Sequence, residues 1–180
     1  MAVLKAFLGW APKLLAPPPT PAPGVEWIAS ASPCIAKTAE GYWSDPTRNS
    51  ALLYDTRKEA LTVDGANALT LLGFWALGVR FDADGPHEVA ATQIFGDTSA
   101  AEAPGPHDRR LGFDVVQFDA MGFGCAPLSC NGLYPGRAVN RYGLFEDEEA
   151  AREFGEHVGR VGLYEPPPFH LVEVWGDLAE

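Results

Sequence analysis

A chain of 180 residues, 47% apolar and 21% charged, is long enough to bury about two thirds of its unfolded surface and folds without help from metals or disulfides. Thirteen Lys and Arg against 24 Asp and Glu give a formal net charge of −11. That charge repels phosphate backbones and excludes direct nucleic-acid binding. No window approaches the roughly 18 consecutive apolar residues of a transmembrane helix, and three cysteines, an odd number, suit a reducing cytoplasm better than a disulfide framework.

At the N-terminus, Leu4, Phe7, Leu8, Ala11, Leu14 and Leu15 recur at helical spacing, which predicts an amphipathic helix over residues 1–16. Lysines at both ends and Pro12 in the middle argue against a secretory signal. Residues 17–24 include five prolines and predict an extended connector of polyproline type. The connector holds the helix away from an α+β domain over residues 25–180. A stripe of Leu4, Phe7, Leu8, Leu14 and Leu15 is too apolar to face water, so it is expected to dock onto a protein partner or a second copy of the chain.

Further along, short apolar runs predict strands at 25–29 and 51–54, a long buried strand at 69–81, and strands at 89–95, 111–118, 139–145 and 169–175. The last is expected inside the sheet. Thr56 with Glu59 has the spacing of a capping box and predicts a short helix that ends by Asp64-Gly65. A longer helix is expected from 147 to 158, with Ala150, Ala151, Phe154 and Val158 inward and an acidic N-terminal end. Residues 42–49 and 96–110 read as loops. Between 121 and 136 the density of glycine, proline and Asn-Gly breakers predicts no regular element.

Leu52-Leu53-Tyr54-Asp55, followed by Glu59-Ala60, is echoed by Gly143-Leu144-Phe145-Glu146, followed by Glu149-Ala150. Each run leads to a strand bearing a tryptophan. The echo suggests two β-α-β halves sharing one mixed or antiparallel sheet with few short helices on one face, in a ferredoxin-like or related layering.

Candidate chemistry is sparse. Phosphate loops, dinucleotide fingerprints, nucleophile elbows and zinc-protease helices are missing. Cys125 and Cys130 lie on the glycine-rich loop, where a metal or redox role competes with simple burial; a zinc site needs four ligands and no second pair stands at knuckle spacing. A nucleophilic pairing of either thiol with His157 or His170 lacks the helix N-terminus that activates many such cysteines. His87 and His107 occupy similar Gly-Pro-His-acid turns, a weak cation-binding alternative to turn formation. Arg109, Arg110, Arg137 and Arg141 would meet an acidic ligand only if two loops converge. Trp27, Tyr42, Trp43, Phe74, Trp75 and Trp175 either fill the core or line a pocket.

The leading expectation is a non-enzymatic binding or accessory protein of a bacterial system, of immunity, adaptor or complex-subunit type. It would act through protein–protein contacts with no cofactor and no metal. The alternative is a small-molecule enzyme with its site on the loop from Cys125 to Arg141, served by Cys125, Cys130, His157 and Arg137. Convergence of these groups around one concave pocket would favour the enzyme.

Overall fold

Hydrogen bonding to a neighbouring strand, not helical periodicity, decides the N-terminus. The computed structural model describes residues 4–38, 40–162 and 165–178. In it, β1 (Ala6–Lys13) pairs antiparallel with β2 (Thr70–Asp82) from Ala6↔Ala76 to Lys13↔Thr70. This corrects the predicted N-terminal helix. As a helix the segment would carry Gly9 and Pro12 at costs of about 1 and 3 kcal/mol, whereas β2 offers a full ladder. Both faces of β1 are covered from Phe7 onward, so the alternation that marks a half-buried strand is lost and the apolar run mimics a helical stripe.

The remaining strands are β3 (Gly85–Glu88), β4 (Arg109–Asp119), β5 (Gly122–Phe123) and β6 (Phe169–Gly176). Their order is β1-β2-β6-β4-β5, with β3 beside the far end of β2, and every pairing is antiparallel. The expected long strand, the 111–118 strand and the interior final strand are all present. The helices are α1 (Arg57–Leu61), α2 (Ala91–Phe95), α3 (Pro127–Cys130) and α4 (Glu148–Val161). Thr56 caps α1 in the predicted capping box with Glu59. Asp147 caps α4, which turns Ala151, Phe154 and Val158 inward.

Four other expectations fail. Residues 25–29, 51–54 and 139–145 contribute isolated bridges only, through Ile28, Tyr54, Val139 and Phe145. Residues 89–95 hold α2, not a strand. The breaker-rich stretch contains β5 and also α3, which starts on Pro127 because proline at the first helical position forfeits a donor that has no partner anyway. The ferredoxin-like layering is also wrong. After β1 the chain comes back to its outer edge, where Tyr54 bridges Trp10, before entering α1. β2 therefore starts beside Lys13 and runs antiparallel along β1, with no parallel crossover.

The echo in the sequence is nevertheless a repeat in space. Leu8 and Leu111 each stand at a register shift just before a glycine of positive φ, Gly9 (131°) and Gly112 (151°). A Cβ on either glycine would lie 2.6 Å from a carbonyl oxygen, that of Tyr54 or Phe145, so no other residue fits. Beside them, the Asn49 amide donates to Leu8 O at 2.8 Å and the Asn140 amide to Leu111 O at 2.6 Å. Each amide oxygen accepts from the backbone two and four residues on. Leu52 (φ 58°) and Gly143 (φ 68°) fill the same left-handed position. Tyr54 and Phe145 then bridge Trp10 and Phe113, and Thr56 and Asp147 cap the helices.

The register of β2 on β6 completes the symmetry. Phe74 faces Val174, Gly73 faces Trp175 and Trp75 faces Glu173, so a pseudo-two-fold axis passes through the Phe74–Val174 pair and exchanges Trp75 with Trp175. Directly paired residues share a face of the sheet. On one face lie Trp10, Phe113, Trp75, Trp175 and Phe169. There the Arg57 guanidinium of α1 stacks 4.8 Å from the Trp10 ring, and α4 packs Phe154 and its glycines against Phe145 and Phe81. The opposite face carries Ala11, Lys13, Leu72, Phe74, Asp114, Val172, Val174 and His170. Residues 28–36, β5 and α2 help to cover it, placing Phe123 and Phe95 against Phe74 and His170.

Candidate functional site

α1 packs on β1 and α4 on β2, β4 and β6 around Phe81, and between them the same face is left open near the pseudo-two-fold axis. A groove of about 310 Å³ runs there, lined by Lys5, Trp75, Leu77, Pro104, Glu173 and Trp175, with Ala103 at its edge. Phe7, paired with Trp75 across β1 and β2, stands beside it, ring to ring at 5.5 Å. The Trp175 indole donates to Glu173 Oε2 at 3.2 Å, and Arg110 approaches the other oxygen of Glu173 at 3.6 Å. One wall is Pro104, which belongs to the segment of residues 97–108. That segment is fastened by Thr98 donating to Phe7 O (2.9 Å), Trp10 to Glu102 O (2.8 Å) and an Arg57–Asp108 ion pair. The predicted 96–110 loop is thus a tethered element of the groove.

On the opposite face Lys13 and Asp114 are both buried. The Lys13 ammonium donates to Ala31 O at 2.8 Å and Ala36 O at 3.2 Å. Burial pulls its pKa down to about 7, with Asp114 opposing that pull. Asp114 accepts from the Ser30 hydroxyl at 2.6 Å, and burial pushes its carboxyl up to about 7 against that bond. The Ser32 hydroxyl lies 3.2 Å from the Cys130 sulfur and accepts from Cys34 N at 3.2 Å. The Tyr134 hydroxyl, buried near Asp114 and Cys130, has no hydrogen-bond partner among the described residues. The cavity touching Lys13 holds only about 10 Å³, room for no more than a water. Lys13 and Asp114 are thus built into the interior and closed to a substrate, whereas Cys130 at the margin of the cluster is half-buried and Cys34 exposed.

The residues singled out from the sequence scatter. Arg137 and His157 do share a cavity of about 230 Å³ with Leu133, Glu165 and Phe169. Arg137 is already occupied, donating to Leu133 O at 3.1 Å and stacking 4.5 Å from the Phe154 ring. Cys125 and Cys130 do not line that cavity; they group instead with Ser32 and Cys34 beneath the loop. His170 is buried against Phe95, and burial lowers its pKa to about 4, leaving it neutral. His87 meets Asp84 at 3.0 Å and Asp82 at 3.7 Å, a cluster on an exposed hairpin that does not include His107. Arg141 pairs with Glu26 at 2.6 Å, away from Arg110.

The predicted docking stripe is dismantled by the strand. Phe7 and Leu8 are buried in the domain, while Leu4 and Leu14 are exposed at opposite ends of β1 and Leu15 is half-buried. Among the described residues no helix is long and apolar enough to cross a membrane. No protein-family model, curated protein or solved structure matches this chain. The groove and the Lys13–Asp114 interior both escaped sequence reasoning. The sequence did offer one signal for the groove, the two tryptophans at matching places in the echoed halves.

Proposed function

We propose that the chain is a non-enzymatic binding protein of a bacterial cytoplasmic system, and that it holds a basic protein partner in the Trp75–Trp175 groove. The observation that carries this reading is the open, aromatic centre of a sheet face that the protein's own helices flank without covering. Two half-buried indoles with fixed neighbours supply rigid contact area at low entropic cost, the usual make-up of an interface hot spot. The net charge of −11 steers a cationic partner toward such a surface. An enzymatic reading has less support, because the thiols and the Arg137–His157 cavity are separate.

The test places a photo-cross-linking residue at Pro104, on the groove wall, and another at Met121, which is 76% exposed on β-turn residues outside it. A partner captured at 104, not at 121, and lost from the Trp75→Ala/Trp175→Ala variant supports the proposal. Removing a hot-spot aromatic costs about 2 kcal/mol or more, at least a roughly thirtyfold loss of affinity. Undiminished capture by that variant, with its thermal midpoint intact, refutes it.

A further inference from the structure

We propose that Cys130 is a redox-active thiol that forms a reversible disulfide with Cys125 in the presence of a small-molecule disulfide such as oxidised glutathione. The short helix α3 sets where the two sulfurs lie. The helix spans a single turn, closed by Cys130 N donating to Ala126 O at 2.9 Å, so its last residue comes back beside the residue preceding its N-cap, Cys125. The two thiols are near enough for each to act on the ionisation of the other. Ser32 lies against the same sulfur at 3.2 Å, and the Lys13 ammonium is within electrostatic range of it. From the other side, Asn131 Nδ2 approaches Cys125 at 3.8 Å. A hydroxyl, a neighbouring thiol and a buried cation around the Cys130 sulfur are surroundings that favour a thiolate.

The two thiols are differentiated accordingly. The Cys125 thiol is the largest influence that lowers Cys130 to about 6, and that same interaction, with burial behind it, drives Cys125 far up. Cys34 is more exposed than either, yet burial of its sulfur raises it. Exposure alone would make Cys34 the reactive thiol, whereas thiolate character selects Cys130. Cys130 is half-buried and Cys125 buried, an arrangement in which the first meets the oxidant and the second resolves the adduct.

The chemistry balances without a bound metal. The Cys130 thiolate attacks one sulfur of glutathione disulfide, the S–S bond breaks, and glutathione thiolate leaves and takes up a proton. Cys125 then loses its proton and attacks the Cys130 sulfur of the mixed disulfide, expelling a second glutathione. Two protein thiols are oxidised by two electrons, and one glutathione disulfide is reduced to two thiols.

The experiment equilibrates the intact chain with glutathione and its disulfide, quenches with acid, blocks free thiols by alkylation and maps the peptides by mass spectrometry. The expected product is a peptide containing Cys125 and Cys130 that is lighter by two hydrogens and unalkylated, with Cys34 alkylated, and reduction should reverse it. Brief alkylation of the reduced protein should label Cys130 first, with a rate that rises through about pH 6, the value set by its surroundings. A Cys125→Ser variant should accumulate the Cys130–glutathione adduct. Fastest labelling at Cys34, a Cys34–Cys130 disulfide, or a wild-type protein with no intramolecular disulfide would each overturn the proposal. The wild-type map decides the matter even if the variant does not fold.

Discussion

Replacing Gly155 by alanine sets two well-measured effects against each other. In the interior of an exposed helix this change is worth about 1 kcal/mol in favour of the alanine. Gly155 instead faces the sheet from the middle of α4, and a Cβ there would lie 2.5 Å from Phe81 Cδ2 and 2.6 Å from Cζ. Carbon atoms pack at about 3.5–4.0 Å, so the ring or the helix must give by about 1 Å. Phe81 is fully buried and its backbone is paired with both Phe169 and Pro86, which leaves the ring nowhere to retreat. Overpacking of this kind costs about 1–3 kcal/mol; taking the upper end and subtracting the helix gain leaves a net loss of about 2 kcal/mol. For a domain of this size that lowers the midpoint by roughly 4–8 °C. Urea and thermal denaturation of Gly155→Ala, Phe81→Leu and the double variant form a cycle in which the smaller side chain should recover part of the loss. A Gly155→Ala protein more stable than wild type would show that α4 does not press on Phe81.

The other predictions concern the turn, the core, the buried charges and the first strand. Asn140→Ala removes three hydrogen bonds that hold the turn against β4 and should cost about 2–3 kcal/mol in urea denaturation, since buried backbone groups lose their partner; a change under about 0.5 kcal/mol would mean that water replaces the amide. Phe154→Ala should cost about 3–5 kcal/mol, and a denaturation midpoint at the wild-type value would contradict its place under the sheet. Asp114, with its folded pKa raised to about 7, stabilises the fold fully below its unfolded value near 4 and loses that contribution as pH rises toward 7. His170, lowered to about 4, acts with the opposite sign between about 4 and 6.5. The stability difference between wild type and Asp114→Asn should therefore shrink from pH 4 to pH 7, and a difference independent of pH would place the carboxylate in water. Deleting residues 1–16 removes β1 with Trp10 and Lys13 and should leave a chain without a cooperative transition by circular dichroism; an unchanged midpoint would restore the segment to a detachable arm.

Where local chemistry and tertiary packing agree, the elements were legible. Thr56 and Glu59 cap α1 as their spacing requires, the apolar face of α4 is the one its periodicity predicts, and the long apolar runs of β2 and β6 lie in the middle of the sheet. Legibility fails where neighbours far along the chain decide. The ladder that makes β1 a strand comes from residues 70–76, and burial on both its faces erases the period of two. Once the segment is read as a helix, Lys13 falls on a solvated edge, so its place in the interior cannot be seen. Asp114 stands next to Val115 and Val116 with nothing to announce Ser30, which reaches it from 84 residues away. The groove is a property of the assembled face, and only the repeated tryptophans hinted at it.

Since the pseudo-two-fold axis relates β1-α1-β2 to β4-α4-β6, the order in which the chain visits the halves is not imposed by the architecture. The end of β6 at Gly176 and the start of β1 at Ala6 lie on either side of β2, opposite Leu72 and Ala76, a gap of roughly 17 Å from strand spacing and rise. A covalent link of some six residues spans it. A circular permutant opened between Ser99 and Ala100, both exposed, would present the second half first and is expected to fold to the same sheet, its two tryptophans meeting from exchanged positions in the chain.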